Sequence, residues 1–438
     1  MVHRCDILVI GGGALGLASA HYLKASHPKL DILLIDRMPG AGQGNTAKSA
    51  AMIRNTFSSQ TNLALTDSTI DFFIEVERSG FPLGLELMGY LWLMTEGQAK
   101  ANNAAIAQMR NHQIPLRLLD GDDLRAVPQL RTSFSADDPE AAVMGLEGIT
   151  LGLFGPKCGA IEPDRLVQYY EQRFLAAGGR VRYGAAVASL LLEPSGGAVG
   201  LPGEPLVWQD KRITGAKLAD GSAIMAQTVV LCTGTWANQL LDPLGVDCHM
   251  KPKTRQLFSI PASEGSLAQL LHTRGFNDLQ VVPFLILPRS GIYVKPVARE
   301  RHFWIGCSDG LGRAYALEDD PQAEEGFFNY SLSPVLSAYL PQFAGQRPDR
   351  MWAGQYAYST IDRNPFVFAE AGALVATGDS GSGIMKADAI GRMVAALYDY
   401  EILGEKAADH VELFNGRTLP VDCLSLTNRS VQPERFVI

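Results

Sequence analysis

The chain has 438 residues, 47% hydrophobic and 19% charged, with a formal net charge of -8. That length exceeds what one small core serves, so two domains are expected. The acidic balance, without any Lys/Arg block, excludes a nucleic-acid partner. The cysteines (Cys5, Cys158, Cys232, Cys248, Cys307 and Cys423) form no C-x-x-C and no metal-ligand spacing. Free thiols in a reducing compartment and no metal site are expected. No apolar run approaches the ~18 residues of a membrane span. Met1-Val2-His3-Arg4 leads straight into a strand pattern and leaves no room for a signal peptide. A cytoplasmic protein is expected, with peripheral attachment to a membrane as the alternative.

The first element is an apolar run, Asp6-Ile7-Leu8-Val9-Ile10, which meets Gly11-Gly12-Gly13-Ala14-Leu15-Gly16. A helical pattern follows, on which Leu15, Ala18, Tyr22 and Leu23 can share a face. A second apolar run, Leu33-Leu34-Ile35, ends at Asp36, twenty residues after the last glycine. Strand, G-x-G-x-x-G turn, helix, strand and acid together mark a βαβ dinucleotide-binding unit. Gly11 permits the tight turn, Gly13 lets backbone approach a pyrophosphate, and Gly16 lets helix pack on strand. The free N–H groups of the helix start, at Ala14 and Leu15, suit phosphates. Asp36, followed by Arg37, can accept hydrogen bonds from adenosine ribose hydroxyls.

A loop rich in Gly, Asn, Thr and Ser spans 40–49, and a helical pattern covers 60–79. Residues 81–94 are apolar but broken by Pro82, Gly84, Glu86 and Gly89; their second half reads as a buried strand. Residues 84–154 mix strand and helix, with a turn signal at Asp120-Gly121-Asp122-Asp123. Glu162-Pro163-Asp164 opens a helix, with proline near its first turn, that ends at Gly178-Gly179. Strand patterns follow at 180–183 and 186–192. The Gly/Pro-rich stretch 194–211 reads as a surface hairpin. Residues 228–236 read as a buried strand entering a Gly turn, and 291–296 and 302–306 are strand-like. The last strand, 373–378, enters a glycine-rich turn and a helix over about 387–400.

One nucleotide fingerprint is present, where a flavoenzyme with its own NAD site would show two. Two further segments point to FAD: Gly42-Gln43-Gly44-Asn45-Thr46-Ala47-Lys48-Ser49-Ala50-Ala51 and Gly378-Asp379-Ser380-Gly381-Ser382-Gly383-Ile384-Met385-Lys386. The second opens a helix whose positive N-terminus can cradle the electron-rich end of a flavin. More segments follow the same order. Gly159-Ala160-Ile161-Glu162-Pro163 reads G-x-h-x-P, with h apolar, and residues 229–236 read V-V-x-x-x-G-x-W. Thr360-Ile361-Asp362-Arg363-Asn364-Pro365 reads T-P-D-x-x-P with Ile361 in place of the first proline. Gly381-Ser382-Gly383 reads G-x-G. On these residues the chain resembles the D-amino-acid oxidase family of FAD-dependent oxidoreductases, in its glycine oxidase and sarcosine oxidase-like branch, over nearly its whole length.

The resemblance implies an α/β fold with an α+β substrate part. A Rossmann-like FAD-binding domain would comprise 1–83, 155–235 and 345–405. A discontinuous mixed-sheet substrate domain would comprise 84–154 and 236–344, with 406–438 as a C-terminal tail. It implies oxidation of the C–N bond of an amino acid or N-alkyl amino acid to an imine, by hydride transfer to flavin N5. Further cofactor contacts are implied at Gly44, Asn45, Thr46, Ser49 and Ala50, at Val187, and at Thr233, Gly234 and Trp236. The second glycine-rich turn adds Gly381, Ser382, Gly383, Ile384, Met385 and Lys386.

Arg54, in Arg54-Asn55-Thr56-Phe57, matches the arginine that grips the substrate carboxylate in sarcosine oxidases. Their second carboxylate contact, a lysine after G-x-G, matches Met385. Lys386 stands one residue later, turned by about 100°. Tyr293 and Lys295 are candidate substitutes, and Tyr356 and Tyr358 candidate pocket residues. Sarcosine oxidases attach flavin through a cysteine before T-P-D, and Gln355-Tyr356-Ala357-Tyr358 has none, so non-covalent FAD is expected. Their oxygen-activating lysine, two residues before a strand glycine, matches Trp304. That favours a dehydrogenase passing electrons to a quinone, dye-like acceptor or protein rather than to oxygen. A 2-hydroxyacid dehydrogenase is the alternative enzyme; it would use a histidine, and His302 is the one near a pocket-type strand. In a different class stand a non-catalytic flavin-binding assembly factor and a subunit of a hetero-oligomeric dehydrogenase. Residues 83–94 and 413–438 would then be partner surfaces.

Overall fold

The computed structural model describes residues 2–289, 291–431 and 434. β1 (Val2–Ile10) and β2 (Ile32–Ile35) are joined by α1 (Ala14–Ser26). Ile7, Leu8, Val9 and all of β2 are buried, as unbroken aliphatic runs are when a parallel sheet is covered on both faces. The sheet has eight strands. Its main order is Phe366–Glu370, Ala373–Thr377, Ala223–Leu231, β1, β2, Arg180–Arg182. All these neighbours are parallel except the first pair. The antiparallel hairpin Val187–Pro194/Lys211–Leu218 hangs from Ala223–Leu231. α1 packs against the helices Pro163–Ala176 and Ala387–Leu397.

The start of α1 sits hard against the end of β1. A Cβ on Gly16 would lie 1.8 Å from the Gly11 carbonyl oxygen, so no other residue fits there. This approach brings the first-turn N–H groups of α1 to the carboxyl end of the sheet.

The second sheet is mixed. Its order is Arg350–Ser359, Met250–Pro261, His302–Gly306, Tyr293–Val297, Phe284–Ile286, Tyr90–Met94, Leu151–Gly155, Arg117–Leu119. Only the Phe284–Ile286/Tyr90–Met94 pair is parallel. The period of two divides its side chains. Leu285, Val294, Phe303 and Ile305 pack with Leu336 and Tyr339 on one face. Phe284, Tyr293, Trp304 and Tyr90 gather with Met52 on the other. The buried helix α2 (Gln60–Arg78) follows the loop that links the two sheets, and the Ser59 side chain accepts from the Asn62 N–H at its start.

Most expected elements form within a few residues of their expected bounds. The acids at 120–123 do not make a plain turn: Asp120 and Asp123 cap the short helix Gly121–Leu124 reciprocally. The strand Arg350–Ser359, expected in the cofactor part, pairs along Met250–Pro261 in the second sheet. The C-terminal segment carries buried Val411, Leu413, Val421 and Leu424 in the main core. Among the described residues, no helix is long and apolar enough to cross a membrane.

Gly16→Ala is expected to lower stability by about 1–3 kcal/mol through overpacking, read as a fall in thermal midpoint. Gly44→Ala, where a Cβ meets nothing within 4 Å, is the control and is expected to change stability by less than about 0.5 kcal/mol. Equal effects of the two would contradict the packing argument.

Candidate active site

The carboxyl ends of β1, β2 and Ala223–Leu231 open onto a cavity of about 360 Å³ that reaches the face of the second sheet. At one end lie Gly11, Gly13, Ala14 and Leu15, with Asp36 and Arg37 beside them. Gly13, the N-cap of α1, brings no side-chain cap, so apart from the Ala14 N–H, which Thr46 takes, the first turn is left to suit a ligand. The Asp36 carboxylate accepts from the Gly12 N–H at 2.5 Å and the Met38 N–H at 2.7 Å. The Arg37 guanidinium lies 4.0 Å from the centre of the Trp236 ring.

The loop after β2 carries the wall to the second sheet. Thr46 Oγ1 accepts from the Ala14 N–H at 3.3 Å. Asn45 donates to Thr235 Oγ1 at 3.2 Å and accepts from the Gln355 N–H at 2.9 Å. The Lys48 carbonyl accepts from the Trp352 indole at 3.0 Å.

The far end carries Arg54 and an aromatic wall. Arg54 is 4% exposed, donates to the Thr56 carbonyl, and lies 3.8 Å from the centre of the Phe57 ring. Burial lowers its proton affinity, and nearby Tyr90 and Glu434 work the other way. Tyr90 stacks on Phe284 at 4.4 Å, and Phe284 on Tyr293 at 5.2 Å. Burial pushes the phenols of Tyr90, Tyr293 and Tyr356 up, so all three are neutral donors. Opposite stands the turn of Gly381, Ser382, Gly383, Ile384 and Met385. Gly381 has φ +79°, and a Cβ there would lie 2.2 Å from the Tyr356 ring, so glycine lets that ring close on the turn.

Behind the turn lies a group of buried charges. Lys386 donates to Ser382 Oγ at 2.6 Å and stands 5.0 Å from the Phe57 ring centre. Burial lowers its pKa to about 7. Glu434 accepts from the Ser58 N–H and hydroxyl, the Ser59 N–H and the Asn62 amide at 2.7–3.2 Å. Burial opposes its charge, but the Ser58 hydrogen bonds and the Arg54 charge hold its carboxyl below the usual range. Asp379 faces the cavity and accepts from the Gly381 N–H at 3.2 Å, and burial raises its proton affinity.

The cavity brings together Gly11, Gly13, Ala14, Leu15, Asp36, Arg37, Gly44, Asn45, Thr46, Ser49, Ala50, Val187, Thr233, Gly234 and Trp236. It also gathers Arg54, Tyr293, Tyr356 and the 381–385 turn. Gly16 packs beneath the first turn rather than lining the wall. Four expectations are corrected. Lys386 sits behind the turn while Met385 faces the cavity. Lys295 turns its ammonium to the Ala50 carbonyl, at 2.6 Å, and to the Trp304 ring, at 4.3 Å. Tyr358 lies beyond the cavity rim, near Tyr315 and Arg363. His302 is held by Asp349 and the Glu300 carbonyl, away from the cavity. Sequence reasoning missed Arg255, Asp379, Tyr90 and Phe284. Of these only Asp379, an acid inside a glycine-rich turn, left a local signal.

The chain matches the family described as FAD dependent oxidoreductase (DAO) over residues 6–397. It belongs to that family. A relative of this FAD-dependent oxidoreductase, "FAD-dependent oxidoreductase domain-containing protein 1" of Bos taurus, is 24% identical over 93% of this chain and 87% of its own. A D-amino acid dehydrogenase of Methylobacterium sp. (strain 4-46) is 24% identical over 59% of this chain and 68% of its own. Among solved structures, L-proline dehydrogenase from P. horikoshii superposes with a TM-score of 0.73 at 21% identity over 97% of both chains. Glycine oxidase from Geobacillus kaustophilus gives 0.68 at 18% identity over 91% of this chain and 95% of that one. These likenesses show the shared fold. The donor set fits FAD at both ends: a helix start whose N-cap glycine supplies no side-chain bond, with an acid beside it, and a second glycine-capped start at the 381–385 turn.

Lys386 gives a pH signature. In an unfolded chain a lysine holds its proton to about pH 10.4, whereas in the fold Lys386 releases it at about 7. Between those values the unfolded state binds more protons, so this group makes stability rise with pH, by up to about 1.4 kcal/mol per pH unit. Lys386→Met is expected to remove that rise. In denaturant titrations, wild-type minus variant unfolding free energy should increase from pH 7 to pH 9; a pH-independent difference would contradict the buried neutral lysine.

Proposed function

We propose that this FAD-dependent oxidoreductase oxidises the C–N bond of an amino acid or N-alkyl amino acid to an imine, holding FAD non-covalently. The observation that carries the reading is Arg54, buried in one cavity with an aromatic wall and the 381–385 turn. In this reading the α1 start holds the pyrophosphate and Asp36 the ribose. FAD supplies a hydride acceptor at its flavin ring.

Arg54 receives the substrate carboxylate through its fork of N–H donors. Phe57 beneath it fixes the plane of that fork. Tyr90, Phe284, Tyr293 and Tyr356 exclude water, which strengthens the ion pair. The neutral phenols add hydrogen bonds without adding charge. Asp379, with its raised proton affinity, is suited to take the ammonium proton, so that the amine is neutral when the C–H bond breaks.

Two details favour a dehydrogenase over an oxidase. By the resemblance, Trp304 stands where sarcosine oxidases carry their oxygen-activating lysine, and Lys295, on the neighbouring strand, is committed to the Ala50 carbonyl. Among the described residues that line the cavity there is no histidine, which disfavours the hydroxyacid reading.

The test is anaerobic addition of amino acids, N-methyl amino acids, proline and 2-hydroxyacids to the FAD-loaded protein. An amino or N-alkyl amino acid is expected to bleach the ~450 nm flavin band, with re-oxidation faster by dye than by air. Arg54→Leu is expected to raise the half-saturating concentration about a hundredfold. Bleaching by hydroxyacids alone, or an Arg54→Leu protein that saturates like wild type, would contradict the reading.

A further inference from the structure

A second guanidinium lines the same cavity. Arg255, on the strand Met250–Pro261, is 8% exposed and stands 5.4 Å from the centre of the Tyr356 ring. Its Nη1 donates to the Thr254 and Asp309 carbonyls at 3.1 Å and to Asp309 Oδ1 at 3.3 Å. Asp309 divides its carboxylate, because Arg313 Nε donates to the other oxygen. The buried Nε of Arg255 has no acceptor among the described residues. Because Arg313 shares its counter-ion, the buried Arg255 guanidinium on the cavity wall is only partly neutralised by protein groups, and a ligand anion would complete the pairing.

The same Tyr356 senses both arginines: the charges of Arg255 and Arg54 each act on its phenol. The cavity that both cations line also carries the rings of Tyr90, Phe284, Tyr293 and Tyr356. Two guanidiniums lining one cavity that also carries aromatic rings match a ligand with two carboxylates.

We infer that the substrate is an amine bearing two carboxylates, with Arg54 holding the one beside the reacting carbon and Arg255 the other. This rests on the reading of Arg54 above. It makes Arg255 a specificity-determining residue: a monocarboxylate leaves its charge shared with Asp309 alone, and a dicarboxylate brings it a second partner from the cavity side.

The experiment titrates the FAD-loaded protein with two thioethers that have no C–N bond to oxidise, and follows the perturbation of the flavin absorbance. (Methylthio)acetate carries one carboxylate and thiodiacetate two. Thiodiacetate is expected to bind at least about tenfold more tightly. Arg255→Leu is expected to abolish that preference, and Arg255→Lys, which keeps the charge but loses the fork, to restore part of it. Arg54→Leu is expected to weaken both ligands. Equal wild-type affinities, or an Arg255→Leu protein that loses both ligands alike, would overturn the inference and leave the Arg54 reading standing. An Arg54→Leu protein that binds both as wild type does would overturn the Arg54 reading, and this inference with it. If Arg255→Leu fails to fold, the wild-type comparison and Arg255→Lys still decide.

Discussion

Two sheets meet across the cavity, and residues 42–54 are bonded both to the glycine turn and helix start that follow β1 and to the second sheet. The Gly42 N–H donates to the Gly12 carbonyl at 2.8 Å, and Thr46 takes the Ala14 N–H at the start of α1. In the same loop, Asn45 and Lys48 bond to Gln355 and Trp352 of the second sheet, and the Ala50 carbonyl to Lys295. Met52–Ile53 then pairs with Gly159–Ala160. The loop thus fixes the distance between the helix start, which suits phosphate, and Arg54, which suits a carboxylate. Any shift of one sheet against the other would have to break several of these bonds together.

The Arg54 end of the cavity is built on buried charge, which is costly unless each ion is paired and hydrogen-bonded. The chain meets that cost with its C-terminal segment. Arg429 forms a bidentate pair with Asp362, at 3.0 and 2.8 Å, and its ring-facing side packs on Phe366. Beyond it, the Glu434 N–H donates to the Asp362 carbonyl, and the Glu434 side chain reaches the start of α2 beside Arg54. The Thr360-Ile361-Asp362-Arg363-Asn364-Pro365 segment is therefore a clasp for the tail as well as a wall, since Arg363 lines the cavity. Asp362 contributes by placing a carboxylate near Arg54.

What could be read in advance was local. The first fifty residues hold strand, turn, helix, strand and acid in sequence order, so each part follows from its neighbours. Arg54 was legible from its surrounding residues and from the family they resemble. The one-residue offset of Lys386 was enough to turn it behind the turn while Met385 faced the cavity. Residues on strands were harder. Tyr293 and Lys295 share a face by alternation, yet only Tyr293 lines the cavity, because Lys295 lies under Ala50. Tyr356 and Tyr358 also share a face, and the rim of the cavity falls between them. Arg255 was not legible at all. Its position depends on a pairing that sets it opposite Gly354 and sets Lys253 opposite Tyr356, and nothing near residue 255 encodes that register.

The most direct measurement is a crystal structure of the FAD-loaded protein with thiodiacetate bound. The expected result is the pyrophosphate at the start of α1, the ribose on Asp36 and the flavin ring against the 381–385 turn, with one carboxylate of the ligand on Arg54. A flavin ring remote from that turn, or a ligand carboxylate held away from Arg54, would contradict it.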